Sequence, residues 1–319
     1  MSFSFASASR RKGVGYLFPG QGAQSVGMGQ QLYDSSPAAR STFHEIDMAL
    51  GRPLTKLMLT GPEEELRQTV NAQPAIMAVS LACARAMEEQ LGADGIPAPA
   101  FMAGHSLGEF TALAVSGVLD VGDAVTLVQR RGEVMQEACE RRPGGMAAIL
   151  GLDHMTIEEI SRETGTYISN VNTAEQIVIS GDRMAVARAL DLATARGAKR
   201  AIPLSVSGAF HSALMEPARA GLLEAVGQLQ FRDPVVPIVA NCTGEPLTSA
   251  DDVKREIIAQ ISSCVQWKRS MDYMLSAGVS RFVEIGPGKT LSSMVKRIDR
   301  SADAVSVDDM DAILRLSRN

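Results

Sequence analysis

The 319-residue sequence predicts an α/β fold with a parallel sheet, interrupted by a small inserted α+β subdomain of ferredoxin-like order. Three observations lead there. Short apolar runs at 14–18 and 98–103 each end in a glycine-bearing turn, with helical periodicity beyond, the alternation of parallel strands joined by helices. Pro143-Gly144-Gly145 breaks the chain, and the pattern changes after it. Between that break and about residue 206 the order becomes β-α-β-β-α-β.

Taken in order, Val14–Phe18 is a buried strand running into the glycine-rich Pro19–Gly22 loop. Helical patterns follow at about 27–34, 38–50, 62–70 and 74–91, the last with Pro74 in its first turn. Ala98–Ala103 is a second buried strand; helices follow over 107–117 and from Asp120 to about Glu140. In the insert, Met146–Leu152, Tyr167–Val171, Ile177–Ser180 and Lys199–Val206 read as strands, and Thr156–Thr164 and Asp182–Arg196 as helices. Beyond it come helices near 212–228, 251–260 and 267–277 and strands near 235–240 and 281–285. The expected domains are a discontinuous α/β unit, 1–142 with 207–319, and an insert over 143–206.

Composition narrows the function. With 45% hydrophobic and 21% charged residues the chain can build a sizeable core. A net charge of −5 argues against nucleic acid or a polybasic membrane site, and no apolar run is long enough to span a bilayer. The four cysteines form no C-x-x-C, the four histidines no H-E-x-x-H, and no metal is expected. The N-terminal MSFSFASASRRKG is serine-rich and has arginines, with no acid before Asp34. That composition suits either a disordered leader or the end of an organelle transit peptide. The expected location is the cytoplasm, with a plastid-type organelle as the alternative.

Gly104-His105-Ser106-Leu107-Gly108 carries the chemistry. It matches G-x-S-x-G, in which the serine stands on a strained strand-to-helix turn. An apolar strand precedes and a helix follows, as the motif requires. Ser106 is therefore the candidate nucleophile, and amides at the helix start can bind an oxyanion. His105 is its neighbour in the turn and points away. His211, in the loop S-G-A-F-H-S, is better placed as a base, though only folding could bring it to a serine 105 residues away. His44 and His154 have no such context. Arg131 falls on the apolar stripe of its helix, between Val128 and Met135. A buried arginine needs a partner, either a protein carboxylate or a carboxylate of the substrate, and the sequence leaves both open. Gly20-Gln21-Gly22 and Gly286-Pro287-Gly288-Lys289-Thr290 imitate phosphate loops but lack a required glycine.

Together the motifs resemble the malonyl-CoA:acyl carrier protein transacylase family. They are F-P-G-Q-G-A-Q (18–24), Q-P-A (73–75), G-H-S-L-G-E (104–109), R-G-E-V-M-Q (131–136), G-A-F-H-S (208–212), V-Q-W (265–267) and E-I-G-P-G-K (284–289). The resemblance runs from about Val14 to Ile298 and leaves out the first dozen residues and the tail after 300.

The resemblance implies a hydrolase-like α/β core with a ferredoxin-like insert and the site in the cleft between them. It implies Ser106 as nucleophile, His211 as base, and Arg131 as the clamp on the malonyl carboxylate. Gln21 and Leu107 amides would form the oxyanion hole, and the main-chain carbonyl of Gln266 would orient His211. Phe210 would crowd out α-branched acyl groups. Malonyl-CoA would be the donor, acyl carrier protein the acceptor bringing its own phosphopantetheine, with no cofactor in the enzyme and a monomer expected. The pathway implied is fatty-acid synthesis. Rival readings are a serine hydrolase or thioesterase of related core, a polyketide-synthase-type acyltransferase, and a carrier-docking module without chemistry. The chain has no linker-rich flanks, which favours a freestanding enzyme.

Overall fold

A computed structural model describes residue 3 and residues 13–206 and 208–316. Apart from residue 3, the serine- and arginine-rich N-terminus lies outside the described residues. Ten strands are defined: β1 (Val14–Phe18), β2 (Phe101–Gly104), β3 (Gly145–Leu150), β4 (Tyr167–Thr173), β5 (Gln176–Gly181), β6 (Arg200–Pro203), β7 (Ile238–Val239), β8 (Pro246–Leu247), β9 (Arg281–Ile285) and β10 (Asp303–Val307). Six form one sheet, in the order β10-β9-β1-β2-β7-β8. Its neighbours run parallel except β8, which turns back antiparallel on β7.

The sequence explains the placing. VGYLF of β1 is buried along its whole length, as a central strand covered on both faces must be. Helices Thr69–Gly95, Leu107–Val115 and Val121–Arg141 pack around the sheet and build the main core. β1 and β2 are adjacent, with Phe18 opposite Gly104. Their carboxyl ends therefore deliver the Pro19–Gly22 loop and Ser106 side by side, where α/β sheets bind ligands.

The other four strands form an antiparallel sheet, β4-β5-β3-β6, with helices His154–Thr164 and Arg183–Ala195 between them in sequence. This is ferredoxin-like order. It closes a core of its own around Ile149, Ile157, Ile160, Ile177 and Ile179. Val171 N–H donates to the Val265 carbonyl at 2.9 Å, and Val265 N–H donates to the Ser169 carbonyl at 2.8 Å. Those bonds tie β4 to the segment entering the Trp267–Ser276 helix.

Several elements depart from expectation. The helix expected at 74 begins at Thr69, so Pro74 sits inside it. Proline cannot donate to the Val70 carbonyl one turn back; Arg52 Nη2 donates to it instead, at 3.4 Å. The Leu54–Thr60 helix is short, and the Thr290–Ile298 helix, though Leu291, Met294 and Val295 recur at helical spacing, was not among the expected elements. The tail after residue 300, where no element was expected, supplies edge strand β10 and the Met310–Leu316 helix. Among the described residues no helix is long and apolar enough to cross a membrane.

Candidate active site

The elbow explains its own glycines. Ser106 holds φ +53°, and His211 holds φ +57°; among the described residues these are the non-glycine positions with positive φ. Gly104 and Gly108 are needed for space rather than for a left-handed turn. A Cβ on Gly104 would lie 1.9 Å from the Gly108 carbonyl carbon, and one on Gly108 would lie 2.0 Å from the Phe18 carbonyl oxygen. The two bracketing glycines let the helix start fold back onto β1 and β2, leaving the serine to carry the strain.

The structure brings Ser106 and His211 together: Ser106 Oγ lies 2.7 Å from His211 Nε2. His211 Nδ1 lies 2.9 Å from the main-chain carbonyl of Gln260. A carbonyl only accepts, so Nδ1 carries the proton and Nε2 turns its lone pair to the serine. Gln266 does not do this, contrary to the expectation. Its carbonyl opens the Trp267–Ser276 helix and accepts from Ser270 N–H at 3.0 Å. Gln260 instead ends the Ala250–Gln260 helix, where last-turn carbonyls lack helical partners and the dipole is negative. Burial, reinforced by the Arg131 charge, lowers the His211 pKa to about 3.

Arg131 is 1% exposed. Its Nη1 donates to Gln73 Oε1 at 2.6 Å; its Nη2 donates to Gln260 Oε1 at 2.8 Å and to Ser106 Oγ at 3.2 Å. Phe110 presents its ring 5.1 Å from the guanidinium. Burial lowers the Arg131 pKa to about 10, which leaves it charged at neutral pH. No protein carboxylate pairs with it among the described residues, and its buried Nε–H has no partner. The cation is held by neutral groups.

Leu107 follows the serine in the chain, and Gln21 lines the same cavity as the serine. Their main-chain N–H groups have no hydrogen-bond partner among the described residues, Leu107 because it is the first residue of its helix. Ser106 N–H is already used, donating to Asn241 Oδ1 at 2.7 Å. Gln21, Ser106, Arg131, Phe210 and His211 all line one cavity of about 250 Å³. Met146, Asn170, Asn172 and Leu204 line its other wall, so the cavity lies between the large sheet and the insert. His105 turns away from the serine, its Nε2 2.9 Å from Asn172 Oδ1.

Sequence reasoning missed Gln260 and Asn241, and quoted Gln73 and Glu109 only inside motifs. Gln260 falls on the buried stripe Val253, Ile257, Gln260, the signal that exposed Arg131. Glu109 is fully buried. Burial beside Glu256 pushes its pKa up, opposed by donors from Asn241 and Gln260 and by the Arg131 charge.

An elbow serine hydrogen-bonded to a histidine, beside a buried unpaired cation on an α/β core, defines an acyl-transfer class of protein. The family model described as "Acyl transferase domain" matches residues 15–315. The malonyl CoA-acyl carrier protein transacylase of Bacillus subtilis is 43% identical over 305 residues, 94% of this chain and 95% of that protein. The crystal structure of acyl-carrier-protein-S-malonyltransferase from Bartonella henselae is 39% identical with a TM-score of 0.92, covering 96% of this chain and 98% of that one. A malonyl-transacylase solved in complex with its type II PKS acyl-carrier protein is 38% identical at TM-score 0.92, over 96% and 99% of the two chains. The chain belongs to the malonyl-CoA:acyl carrier protein transacylase family. The match also takes in most of the tail after residue 300, which the motifs had left outside.

Proposed function

We propose that the protein moves a malonyl group from malonyl-CoA to the phosphopantetheine thiol of an acyl carrier protein, through a malonyl-Ser106 ester. The observation that carries this is Arg131: a buried cation 3.2 Å from Ser106 Oγ with only neutral partners. One methylene separates the thioester carbonyl of malonyl-CoA from its carboxylate. A cation beside the attacking oxygen therefore meets the carboxylate as the carbonyl reaches the serine.

His211 Nε2 takes the proton of Ser106 as Oγ bonds to the thioester carbon. The carbonyl oxygen becomes an oxyanion between the amides of Leu107 and Gln21. On collapse the carbon–sulfur bond breaks, and the CoA sulfur leaves with the proton from His211. In the second half the phosphopantetheine thiol gives its proton to His211 and attacks the ester. The carbon–Oγ bond breaks and Ser106 recovers the proton. The malonyl carboxylate also compensates the Arg131 charge that depresses His211, so bound substrate makes its own base stronger. Phe210, on the cavity wall beside His211, narrows the space for an α-branch.

Intact-protein mass spectrometry after brief mixing with malonyl-CoA tests the proposal. One malonyl group gained by the native chain, absent from Ser106→Ala and discharged by phosphopantetheinylated carrier protein, is the expected result. Rapid release of malonate without an adduct would make the protein a serine hydrolase. No adduct with malonyl-CoA intact would leave a docking module.

A further inference from the structure

One buried acid has no part in that chemistry. Glu109 lies three residues past the nucleophile, in the first turn of the Leu107–Val115 helix, fully buried. Its Oε1 accepts from Asn241 N–H at 2.9 Å and from Asn241 Nδ2 at 3.2 Å; its Oε2 accepts from Gln260 Nε2 at 2.7 Å. Each of these hydrogen-bond partners donates, a setting that favours a carboxylate, which only accepts, against the burial and the nearby Glu256 that push its pKa up.

That one-sidedness fixes two amides. With both NH₂ groups turned to Glu109, both amide oxygens must face the other way. Asn241 Oδ1 then meets Ser106 N–H at 2.7 Å, and Gln260 Oε1 meets Arg131 Nη2 at 2.8 Å. The same NH₂ groups reach Ser106 and its surroundings: Asn241 Nδ2 donates to the Gly104 carbonyl at 2.7 Å, and Gln260 Nε2 to the Ser106 carbonyl at 2.8 Å. Ser106 is thus gripped at its N–H and its C=O, at a φ of +53° that a serine does not hold by itself. We propose that Glu109 is a positioning residue that, through Asn241 and Gln260, aims both the nucleophile Ser106 and the carboxylate clamp Arg131.

An uncharged amide at position 109 brings an NH₂ face to face with other donors. The cheapest relief is a flip of Gln260, which turns its NH₂ toward the guanidinium and releases both Arg131 and the Ser106 carbonyl. The elbow then loosens and the clamp loses its aim. Buried acids that serve only to satisfy neighbours would cost folded protein, not selectivity among acyl groups.

The inference rests on Ser106 being the acyl carrier, and the test separates the two. Acylation of Ser106 from malonyl-CoA and from acetyl-CoA is timed by quenched mixing and mass spectrometry for the native chain and for Glu109→Gln, with thermal melts to count folded protein. Both rates per folded molecule should fall in E109Q, and malonyl loading should fall about tenfold further than acetyl loading, the size of one lost hydrogen bond to a charged group. Gln260→Met leaves Glu109 and the main-chain carbonyl on His211 in place; if E109Q does not fold, it carries the same readout and the same expected loss of malonyl preference. A folded variant that keeps the native malonyl-to-acetyl ratio overturns the role of Glu109. Absence of any adduct on the native chain overturns the catalytic reading instead.

Discussion

Replacing Arg131 by methionine isolates what the buried cation does. Methionine keeps an unbranched apolar stem against Phe110 while removing the charge and three hydrogen bonds. In the malonyl complex it leaves a carboxylate in a buried pocket with no counter-charge. Breaking a buried pair from one side costs about 3–5 kcal/mol, so malonyl loading should fall by roughly two to three orders of magnitude. Acetyl-CoA has no carboxylate to strand. For it the variant loses one 3.2 Å donor to Ser106 Oγ, and it also removes the second-largest cause of the depressed His211 pKa. Those effects oppose each other, and acetyl loading should stay within about tenfold of the native rate. The assay is the initial rate of acyl-Ser106 formation from each thioester at several concentrations, corrected for folded fraction by thermal melting. Equal losses for the two substrates would refute a carboxylate clamp and leave Arg131 as a structural cation.

Stability should depend on pH through His211. Its pKa of about 3 in the folded chain lies below the ordinary histidine value, so the unfolded chain binds the proton first and stability is lost as pH falls from about 6.5 toward 3. His211→Gln should flatten the urea-unfolding ΔG between pH 7 and pH 4 by up to about 1.4 kcal/mol per pH unit, and an unchanged slope would contradict the burial argument. Ser106→Gly should melt higher than Ser106→Ala by about 1 kcal/mol, because both lack the hydroxyl and only glycine accepts φ +53° without strain. Phe210→Ala should raise methylmalonyl loading relative to malonyl loading; an unchanged ratio would take acyl-branch selectivity away from this side chain.

How far the site was readable follows from what kind of signal each residue leaves. Gly104 and Gly108 were legible because close backbone approach admits one residue type. Arg131 was legible because a charge on an apolar stripe demands a partner, but the sequence could not say which. The structure supplies that answer by surrounding it with amides. The insert showed itself through a change of period after Gly145. The carbonyl behind His211 left no mark, because every residue has one and only packing decides which of Gln260 or Gln266 is spare. The β10 strand failed for a related reason: DAVSV is short, half-exposed and pairs on one side only, so its burial gives no run.

The choice of amides around Arg131 bears on selectivity. A protein carboxylate there would offset the burial of the cation, and an incoming malonyl group would then have to displace it. Gln73 and Gln260 orient the guanidinium at 2.6 and 2.8 Å without neutralising it, and Glu109 acts on it only from behind Gln260, so a carboxylate in direct contact is left for the substrate to bring. Gln73→Glu tests this by supplying the missing charge from within. The introduced carboxylate would accept from Arg131 Nη1 in the place of the present amide oxygen, while the present Nε2 donation to Thr69 reverses only if that hydroxyl rotates away from Gln21 Oε1, to which it now donates at 2.9 Å. The built-in pair competes with malonyl and not with acetyl. KM for malonyl-CoA should rise by about tenfold or more, acetyl loading should change little, and the melting temperature should hold or increase. A Gln73→Glu enzyme that binds malonyl-CoA as tightly as the native chain would mean that the substrate carboxylate is held somewhere other than on Arg131.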